Sequence, residues 1–141
     1  MTKGRSRHVA LLAGDRDPGI CAAILVAAPG RPLGLFDPRV QDFLIHTMAI
    51  DPAREIARYG KPVLVVQGDR NLQVGMGDAI LLTRACPAAE LALVTDANHV
   101  LKRVPGSGRA ANLASYADPS LPMADGVVDA IATFIFKHTV L

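Results

Sequence analysis

The stretch KPVLVVQGDRNLQV, Lys61 to Val74, joins an apolar run to a polar turn. Four apolar residues stand in a row from Val63 to Val66, and a polar cluster with Asp69 and Asn71 follows. A continuous apolar run is typical of a strand buried within a parallel sheet. Open α/β sheets place their chemistry at the carboxyl ends of such strands. The stretch therefore predicts a buried strand that delivers Asp69 and Asn71 to a functional edge.

Predicted strands and helices alternate on both sides of this stretch. Further strands are predicted over Ile20–Ala28 and Ala89–Thr95. Between the first two strands, Asp51 as N-cap and Pro52 at the first helical position open a short helix that stops at Gly60. The segment GDAILLTRACP predicts a helix between the second and third strands. This alternation predicts an α/β fold, with a three-stranded parallel sheet flanked by helices on both faces.

Four other segments complete the prediction. Helices are predicted for RHVALLAG, which stops at Gly14, for DPRVQDFLIHTMAI and for the amphipathic GVVDAIATFIFKHTV. The segment KRVPGSGRAANLASYADPSLPMAD is rich in Pro, Gly and Ser and predicts a long irregular surface loop. Because no repeat or linker divides the chain, residues 1–141 are predicted to form a single domain.

The composition is that of a soluble globular protein. Half of the 141 residues are hydrophobic, 20% are charged, and the formal net charge is +2. Basic residues are dispersed and only 4% of residues are aromatic, which argues against a nucleic-acid partner. No apolar run approaches the roughly 20 residues of a membrane span, and MTKGRSRH has no apolar signal-peptide core. We therefore expect a cytoplasmic protein that binds neither nucleic acid nor membrane.

The sequence predicts neither a metal nor a cofactor. Cys21 and Cys86 form no CxxC pair and are expected to be reduced and buried or half-buried. The four histidines lack metal-ligand spacing. The segment PGSGR is an incomplete match to a phosphate-binding loop, since no strand precedes it.

Candidate catalytic residues follow one another in the order serine, acid, histidine. Ser6 precedes the first predicted helix, Asp69 and Asn71 follow the second strand, and His99 follows the third. Nucleophilic hydrolysis needs an exposed hydroxyl, an imidazole that takes its proton and an acid that holds the imidazole. Each residue has a structural alternative: Ser6 as a helix N-cap, Asp69 and Asn71 as Asx-type turn formers, and His99 as a capping or exposed side chain.

Several segments resemble the α/β-hydrolase family. PVLVVQGDRNLQV resembles the family's acid-bearing strand and turn, and DANHVLKRV resembles its histidine loop. ILVAAPGRPLG and DPAREIARYGKPV are similar to segments that precede these two. The resemblance covers the C-terminal half of that fold. It implies a truncated serine hydrolase that acts on small-molecule carboxyl esters, with Ser6, His99 and Asn71 or Asp69 in the triad positions.

Two positions depart from the family pattern. The segment GRSRH ends in His8, where the GxSxG motif of the nucleophile has a glycine. The family's acid falls three residues after Gly68, where this sequence has Asn71. An amide can hydrogen-bond an imidazole but cannot stabilise it as a cation. We therefore expect weak or absent esterase activity, and the alternative is a non-enzymatic remnant or a homo-oligomeric assembly module.

The resemblance also predicts self-association. In the complete family fold the strand Ile20–Ala28 has a neighbour on each side, and the outer one would lie before residue 1. No Lys, Pro or inward charge protects the resulting edge. Helices that packed on the other half would expose an apolar patch. We therefore expect a homo-oligomer in which a two-fold axis pairs or packs the same surface of each copy.

Overall fold

A computed structural model describes residues 17–26, 28, 50–106 and 108–139. In order, the elements are β1 Ala23–Val26, α1 Pro52–Arg58, β2 Val63–Gly68, α2 Met76–Ala85, β3 Glu90–Val94, α3 Arg109–Ala117 and α4 Val127–His138. The strands lie in the order β1-β2-β3 and both pairs are parallel. The predicted α/β fold with a three-stranded parallel sheet is confirmed. The helix predicted for residues 7–14 lies outside the described residues, as does all of the one predicted for residues 37–50 except its last residue.

The central strand β2 is buried along its whole length. Its register places Val63 opposite Ala23 of β1 and Gly68 opposite Val94 of β3. Since β2 has a strand on each side and helices above and below, both of its faces must be apolar, and a continuous apolar run meets that need.

Helices cover the sheet on both faces, as predicted. We call face one the side on which α1 and α2 pack, and face two the side on which α4 packs. The core of face one consists of Ala23, Leu25, Val63 and Val65 from the sheet, Ala28 after β1, and Ile56, Tyr59, Ala79 and Leu82 from the helical side. The core of face two consists of Leu64, Val66 and Val94 from the sheet with Ala97, Leu101, Ala124, Val127 and Phe134.

Local sequence explains where the helices begin. The Asp51 carboxylate caps α1 by accepting hydrogen bonds from the backbone N–H of Ala53 at 3.0 Å and Arg54 at 3.3 Å. Pro52 occupies the first helical position, as predicted. In the first turn of α2, Asp78 Oδ2 accepts from the Gly75 N–H at 3.2 Å. Gly126 precedes α4 with a φ of 83°, a conformation that favours glycine.

The prediction of one long irregular loop between β3 and α4 was wrong. Helix α3 occupies the middle of that segment, Arg109–Ala117. The stretch RAANLASYA contains neither Gly nor Pro and is rich in Ala, the strongest helix former. The Gly and Pro residues that suggested a loop all lie outside these nine residues, where they end the helix rather than prevent it.

Smaller differences concern strand ends and one thiol. The outer strands are shorter than predicted, since β1 spans Ala23–Val26 and β3 spans Glu90–Val94. Cys86 is half-buried as expected, but Cys21, which lies before β1, is exposed. Within the described ranges, no helix is long and apolar enough to cross a membrane.

Candidate functional site

Two loops meet at the carboxyl edge of the sheet. We call Asp69–Gly75 the β2 loop and Thr95–Val104 the β3 loop. The Asp69 N–H donates to the Val94 carbonyl at 3.1 Å, which extends the β2–β3 pairing beyond the strands. The Arg70 N–H donates to the Ala97 carbonyl at 3.0 Å. Backbone hydrogen bonds therefore join the loop that carries the acid candidates to the loop that carries His99.

Gly68 allows this close approach. A Cβ placed on Gly68 would lie 2.7 Å from the Ala97 carbonyl carbon and 2.8 Å from the Ala97 Cβ, and closer still to the carbonyl oxygen. Real Cβ atoms do not approach other heavy atoms so closely. Only glycine fits at the end of β2 while the β3 loop lies against it.

The Arg70 side chain crosses from the β2 loop to two other segments. Its guanidinium forms an ion pair with Asp96 at 2.7 Å and donates to the Gly106 carbonyl at 3.1 Å. The Arg70 carbonyl accepts a 2.6 Å hydrogen bond from Nδ2 of Asn112, which is buried on α3. Arg70 thus connects both loops to α3.

His99 lies at the tip of a tight turn in the β3 loop. The Leu101 N–H donates to the Asn98 carbonyl at 3.1 Å, which closes the turn around His99 and Val100. Leu101 has a φ of 60° and Asp96 a φ of 57°, so two non-glycine residues of this loop are left-handed. Such residues are uncommon and persist where surrounding contacts hold them. The conformation around the histidine is therefore imposed by its neighbours.

Asn98 supplies several of those contacts. Its buried side chain accepts hydrogen bonds at Oδ1 from the N–H groups of Val100 and Lys102, both at 3.0 Å. Its Nδ2 donates to Ser115 Oγ at 2.7 Å, and Ser115 Oγ donates to the Asn112 carbonyl at 2.6 Å. Both donor and acceptor groups of Asn98 are used, and they attach the histidine turn to α3.

Asn71 forms a similar turn in the β2 loop. Its Oδ1 accepts from the N–H groups of Gln73 and Val74, both at 3.0 Å, which is the Asx-type geometry. Gln67 closes the same loop, since its buried Nε2 donates to the Val74 carbonyl at 2.9 Å. The Asn71 Nδ2 is also buried, and it has no hydrogen-bond partner among the described residues. The amide oxygen of Asn71 is thus fully occupied, while its amide nitrogen is not.

The structure brings some predicted site residues together. Asp69, Asn71 and His99 lie in adjoining loops at one edge of the sheet. Asp69 is exposed, and its carboxylate makes no hydrogen bond to any other residue within the described part. Ser6 and His8 lie outside the described residues. An exposed carboxylate and an imidazole on a fixed turn are the groups that acid–base chemistry needs.

Sequence analysis missed the residues that hold these loops together. The largest contributors are Arg70, Asn98, Asn112 and Ser115. One signal was available, because Asn112 and Ser115 are polar residues three apart in an Ala-rich helical stretch and so share one helix face. Their partners in other loops could not be identified without the fold.

A cavity of about 470 Å³ lies between β3, the β3 loop and the start of α4. It is lined by Ala92, Leu93, Val94, Thr95, Asp96, Arg103, Asp125, Gly126 and Ala130. Its lining includes Thr95, Asp96 and Arg103 of the β3 loop but neither acid candidate nor His99. Across the described ranges, no group of three or more His, Cys, Asp or Glu side chains is placed to hold a metal ion.

Two carboxyl groups away from this edge have shifted pKa values. Hydrogen bonds from Lys137, at 2.8 Å, and from His138 lower the pKa of Glu90 at the start of β3. Hydrogen bonds from the Ser120 hydroxyl and N–H lower the pKa of Asp118 after α3. Both shifts accompany contacts that join elements or shape turns.

The chain is similar to known proteins in structure but not in sequence. No protein-family model and no curated protein sequence matches the chain. Solved structures do match. Est1E from Butyrivibrio proteoclasticus, with ferulic acid bound, aligns at a TM-score of 0.60 and 18% identity over 93% of this chain and 55% of its own.

Two further matches are similar in extent. The esterase domain of a Rhodothermus marinus protein aligns at a TM-score of 0.56 and 17% identity, over 67% of this chain and 49% of its own. BpoC of Mycobacterium tuberculosis, assigned as a non-heme bromoperoxidase, aligns at 0.57 and 13% identity, over 94% of this chain and 64% of its own. This chain spans about half to just under two thirds of the length of these structures. The resemblance seen in the sequence is confirmed for the fold: the chain has the fold of the α/β-hydrolases.

Proposed function

We propose that the chain is a weak serine hydrolase directed at small-molecule carboxyl esters. The observation that carries this proposal is the junction at the carboxyl edge, where backbone hydrogen bonds join the loop with Asp69 and Asn71 to the loop with His99. The fold supports it as well, since two of the structural neighbours described above are esterases.

In the proposed reaction, His99 takes the proton of the Ser6 hydroxyl as Ser6 Oγ attacks the ester carbonyl. The tetrahedral intermediate collapses, and the alcohol leaves with the proton from His99. Water then attacks the acyl-serine with His99 again as base, which releases the acid and restores Ser6. Every step needs an imidazolium that is held and stabilised.

That requirement explains why we propose weak activity. Asn71 carries no charge, and its Oδ1 already accepts two backbone N–H groups. Replacing the acid of a serine-protease triad by Asn lowers kcat by about 10⁴, in the well-known case of that substitution. Asp69 is the alternative acid, because its exposed carboxylate has no partner in the described part of the chain.

The test is hydrolysis of p-nitrophenyl acetate by the wild type and by Ser6→Ala, His99→Ala, Asn71→Asp and Asp69→Asn. An aspartate keeps the turn-forming oxygen of Asn71 and replaces its buried Nδ2 by a second oxygen. We expect Asn71→Asp to raise the rate at least about tenfold, as part of the 10⁴ attributed to the acid. We expect Ser6→Ala and His99→Ala to reduce the rate to the buffer value.

Labelling by a fluorophosphonate provides an independent test, with the modified residue located by mass spectrometry. Label at Ser6 supports the proposal. Turnover that persists in Ser6→Ala, or label elsewhere with none at Ser6, would refute it. A loss of rate in Asp69→Asn, with no gain in Asn71→Asp, would assign the acid to Asp69.

We propose self-association as a second function, independent of catalysis. Helix α4 carries three large apolar residues that are exposed, Val128, Ile135 and Phe136. Exposed apolar surface of this kind marks interaction sites. Sedimentation of the full chain at micromolar concentration tests this proposal, and a stable monomer of 14.9 kDa would refute it.

A further inference from the structure

The side-chain amide of Asn71 is held at its oxygen but not at its nitrogen. Its Oδ1 accepts hydrogen bonds from the backbone N–H groups of Gln73 and Val74, both at 3.0 Å. Its Nδ2 is buried and has no hydrogen-bond partner among the described residues. When a nucleophile attacks the amide carbon Cγ, the oxygen gains negative charge and the nitrogen leaves. The amide is therefore held in the way that favours attack at Cγ.

The two backbone N–H groups form an oxyanion hole around Oδ1. Attack makes Cγ tetrahedral and places negative charge on that oxygen. Donors that stabilise such a charge lie about 2.7–3.1 Å from it, and the N–H groups of Gln73 and Val74 already lie within that range. A hydrogen bond to a charged oxygen is about twice as strong as one to a neutral oxygen. The turn therefore stabilises the tetrahedral intermediate more than the intact amide.

The next backbone nitrogen in the chain is available as the attacking group. The Leu72 N–H donates no hydrogen bond within the described part of the chain. Attack by this nitrogen on Cγ of Asn71 closes a succinimide ring through Cα and Cβ. Leu72 and Gln73 are both exposed, so water reaches the same loop. Nucleophile, oxyanion hole and water thus meet at one asparagine, a residue type that is chemically labile in proteins.

We propose that Asn71 deamidates without an enzyme and that the resulting aspartate is the acid of the candidate triad. This inference rests on the proposed function, in which position 71 holds that acid. The Leu72 nitrogen forms a bond to Cγ, the Cγ–Nδ2 bond breaks, and the Leu72 proton leaves with Nδ2 as ammonia. Water then adds to Cγ and breaks its bond to the Leu72 nitrogen, which regains a proton. The product is a carboxylate whose proton passes to the ammonia, so water is consumed and no electron is transferred.

Asn98 provides a comparison within the same chain. Its Oδ1 also accepts two backbone N–H groups at 3.0 Å, but its Nδ2 donates to Ser115 Oγ at 2.7 Å and its side chain is fully buried. The leaving nitrogen is held and water is excluded. We therefore expect Asn98 to be stable under conditions in which Asn71 deamidates.

The first test follows both asparagines by mass spectrometry while the full chain is incubated in mildly alkaline buffer. A lysine-specific protease leaves them in one peptide, because no lysine lies between them. We expect the deamidated fraction at Asn71 to exceed that at Asn98 at least about tenfold, the factor that one buried hydrogen bond on the leaving nitrogen can supply. Aspartate already present at position 71 in the fresh protein supports the proposal equally.

A matched pair of variants tests the route. Leu72→Pro removes the attacking N–H, which donates no hydrogen bond in the described part of the chain, and should lower the deamidated fraction to that of Asn98. Leu72→Ala keeps the N–H and should deamidate at least as fast as the wild type, because a smaller side chain hinders the attack less. Circular dichroism checks that both variants fold. Equal deamidation at Asn71 and Asn98 in the wild type, or deamidation that persists in Leu72→Pro, would overturn the proposed route.

Hydrolysis of p-nitrophenyl acetate by the same incubated samples tests the consequence. We expect the rate to rise in proportion to the deamidated fraction and to approach that of Asn71→Asp. If Asn71→Asp is active but the wild type does not deamidate, this inference fails and the proposed function stands. If the wild type deamidates and neither it nor Asn71→Asp gains activity, the assignment of the acid to position 71 fails although the modification occurs.

Discussion

The β2 loop and the β3 loop each contain an asparagine that forms a turn, and the two asparagines differ in one atom's environment. In both, Oδ1 accepts two backbone N–H groups at 3.0 Å. The Nδ2 of Asn98 donates to Ser115 on α3, whereas the buried Nδ2 of Asn71 has no partner among the described residues. A buried polar group without a partner destabilises the folded state.

The hydrogen bonds of the Asn98 side chain account for its presence, whereas those of the Asn71 side chain leave its amide nitrogen unexplained. Asn98 satisfies all of its strong hydrogen-bonding groups, so its function in the histidine turn is fully explained by the fold. Asn71 satisfies only its oxygen, at the position where the α/β-hydrolase resemblance implies an acid. Such unsatisfied groups in a folded protein require an explanation, and a catalytic position is one of those known.

The largest expected effect comes from breaking the junction of the two loops. Gly68→Ala places a Cβ against the backbone of Ala97, which cannot move without displacing the histidine turn. We expect a loss of about 3 kcal/mol in the free energy of unfolding, at the upper end for overpacking, measured by urea denaturation. Gly60→Ala is the matched control, because a Cβ there meets nothing within 4 Å. A Gly68→Ala protein as stable as the control would show that the loops do not lie together.

Removing the buried side chain of Asn98 should lower the free energy of unfolding slightly less than Gly68→Ala does. Asn98→Ala removes the acceptor of the Val100 and Lys102 N–H groups and the donor to Ser115 Oγ, which keeps its hydrogen bond to the Asn112 carbonyl. We expect a loss of about 2 to 3 kcal/mol, since each buried group left unpaired costs about 1 to 3. Ser115→Ala should cost less by itself, and the double variant should cost less than the sum of both, because the two side chains share one hydrogen bond. Strict additivity would contradict the contact.

The sequence was sufficient for the sheet and insufficient for these contacts. The apolar run Val63–Val66 and the cap at Asp51 are local patterns, and both predicted elements are present. Helix α3 was missed because Gly and Pro on either side outweighed the helix-forming stretch between them. The partners of Asn98 and Arg70 lie 17 and 42 residues away on α3, and no local pattern specifies such a pairing.

For the candidate site, the sequence predicted where the residues lie but not what surrounds their side chains. Asp69, Asn71 and His99 could be placed at one edge of the sheet, because parallel strands end at a common edge. The environment of each side chain could not be predicted. Whether the side-chain oxygen of an asparagine is free or bonded to its own loop depends on a few backbone angles. The left-handed backbone conformation of Leu101 is likewise not evident from the residue type.

A smaller effect is expected at Asn71 than at Asn98. Asn71→Ala removes the acceptor of two N–H groups, but Gln73 is exposed and water can replace the amide there. The same substitution also removes the buried Nδ2, which has no partner among the described residues. Removing such a group stabilises the folded state. We expect the two contributions to offset each other and the free energy of unfolding to change by less than about 1 kcal/mol. A loss as large as that of Asn98→Ala would mean that Nδ2 has a partner after all, and the contrast between the loops would disappear.

The smallest effect should come from the ion pair between the loops. Arg70 and Asp96 are 37% and 45% exposed, and exposed pairs contribute between about 0 and 1 kcal/mol. Asp96→Asn removes the charge but keeps a side chain that tolerates the left-handed φ of 57°. We expect a loss below about 1 kcal/mol at low salt that vanishes in 1 M NaCl, where charges are screened within about 3 Å. Asp96→Ala should cost about 1 kcal/mol more at either salt concentration, because alanine lacks that tolerance. If the two variants behave alike, the left-handed conformation of Asp96 makes no measurable contribution to the free energy of unfolding.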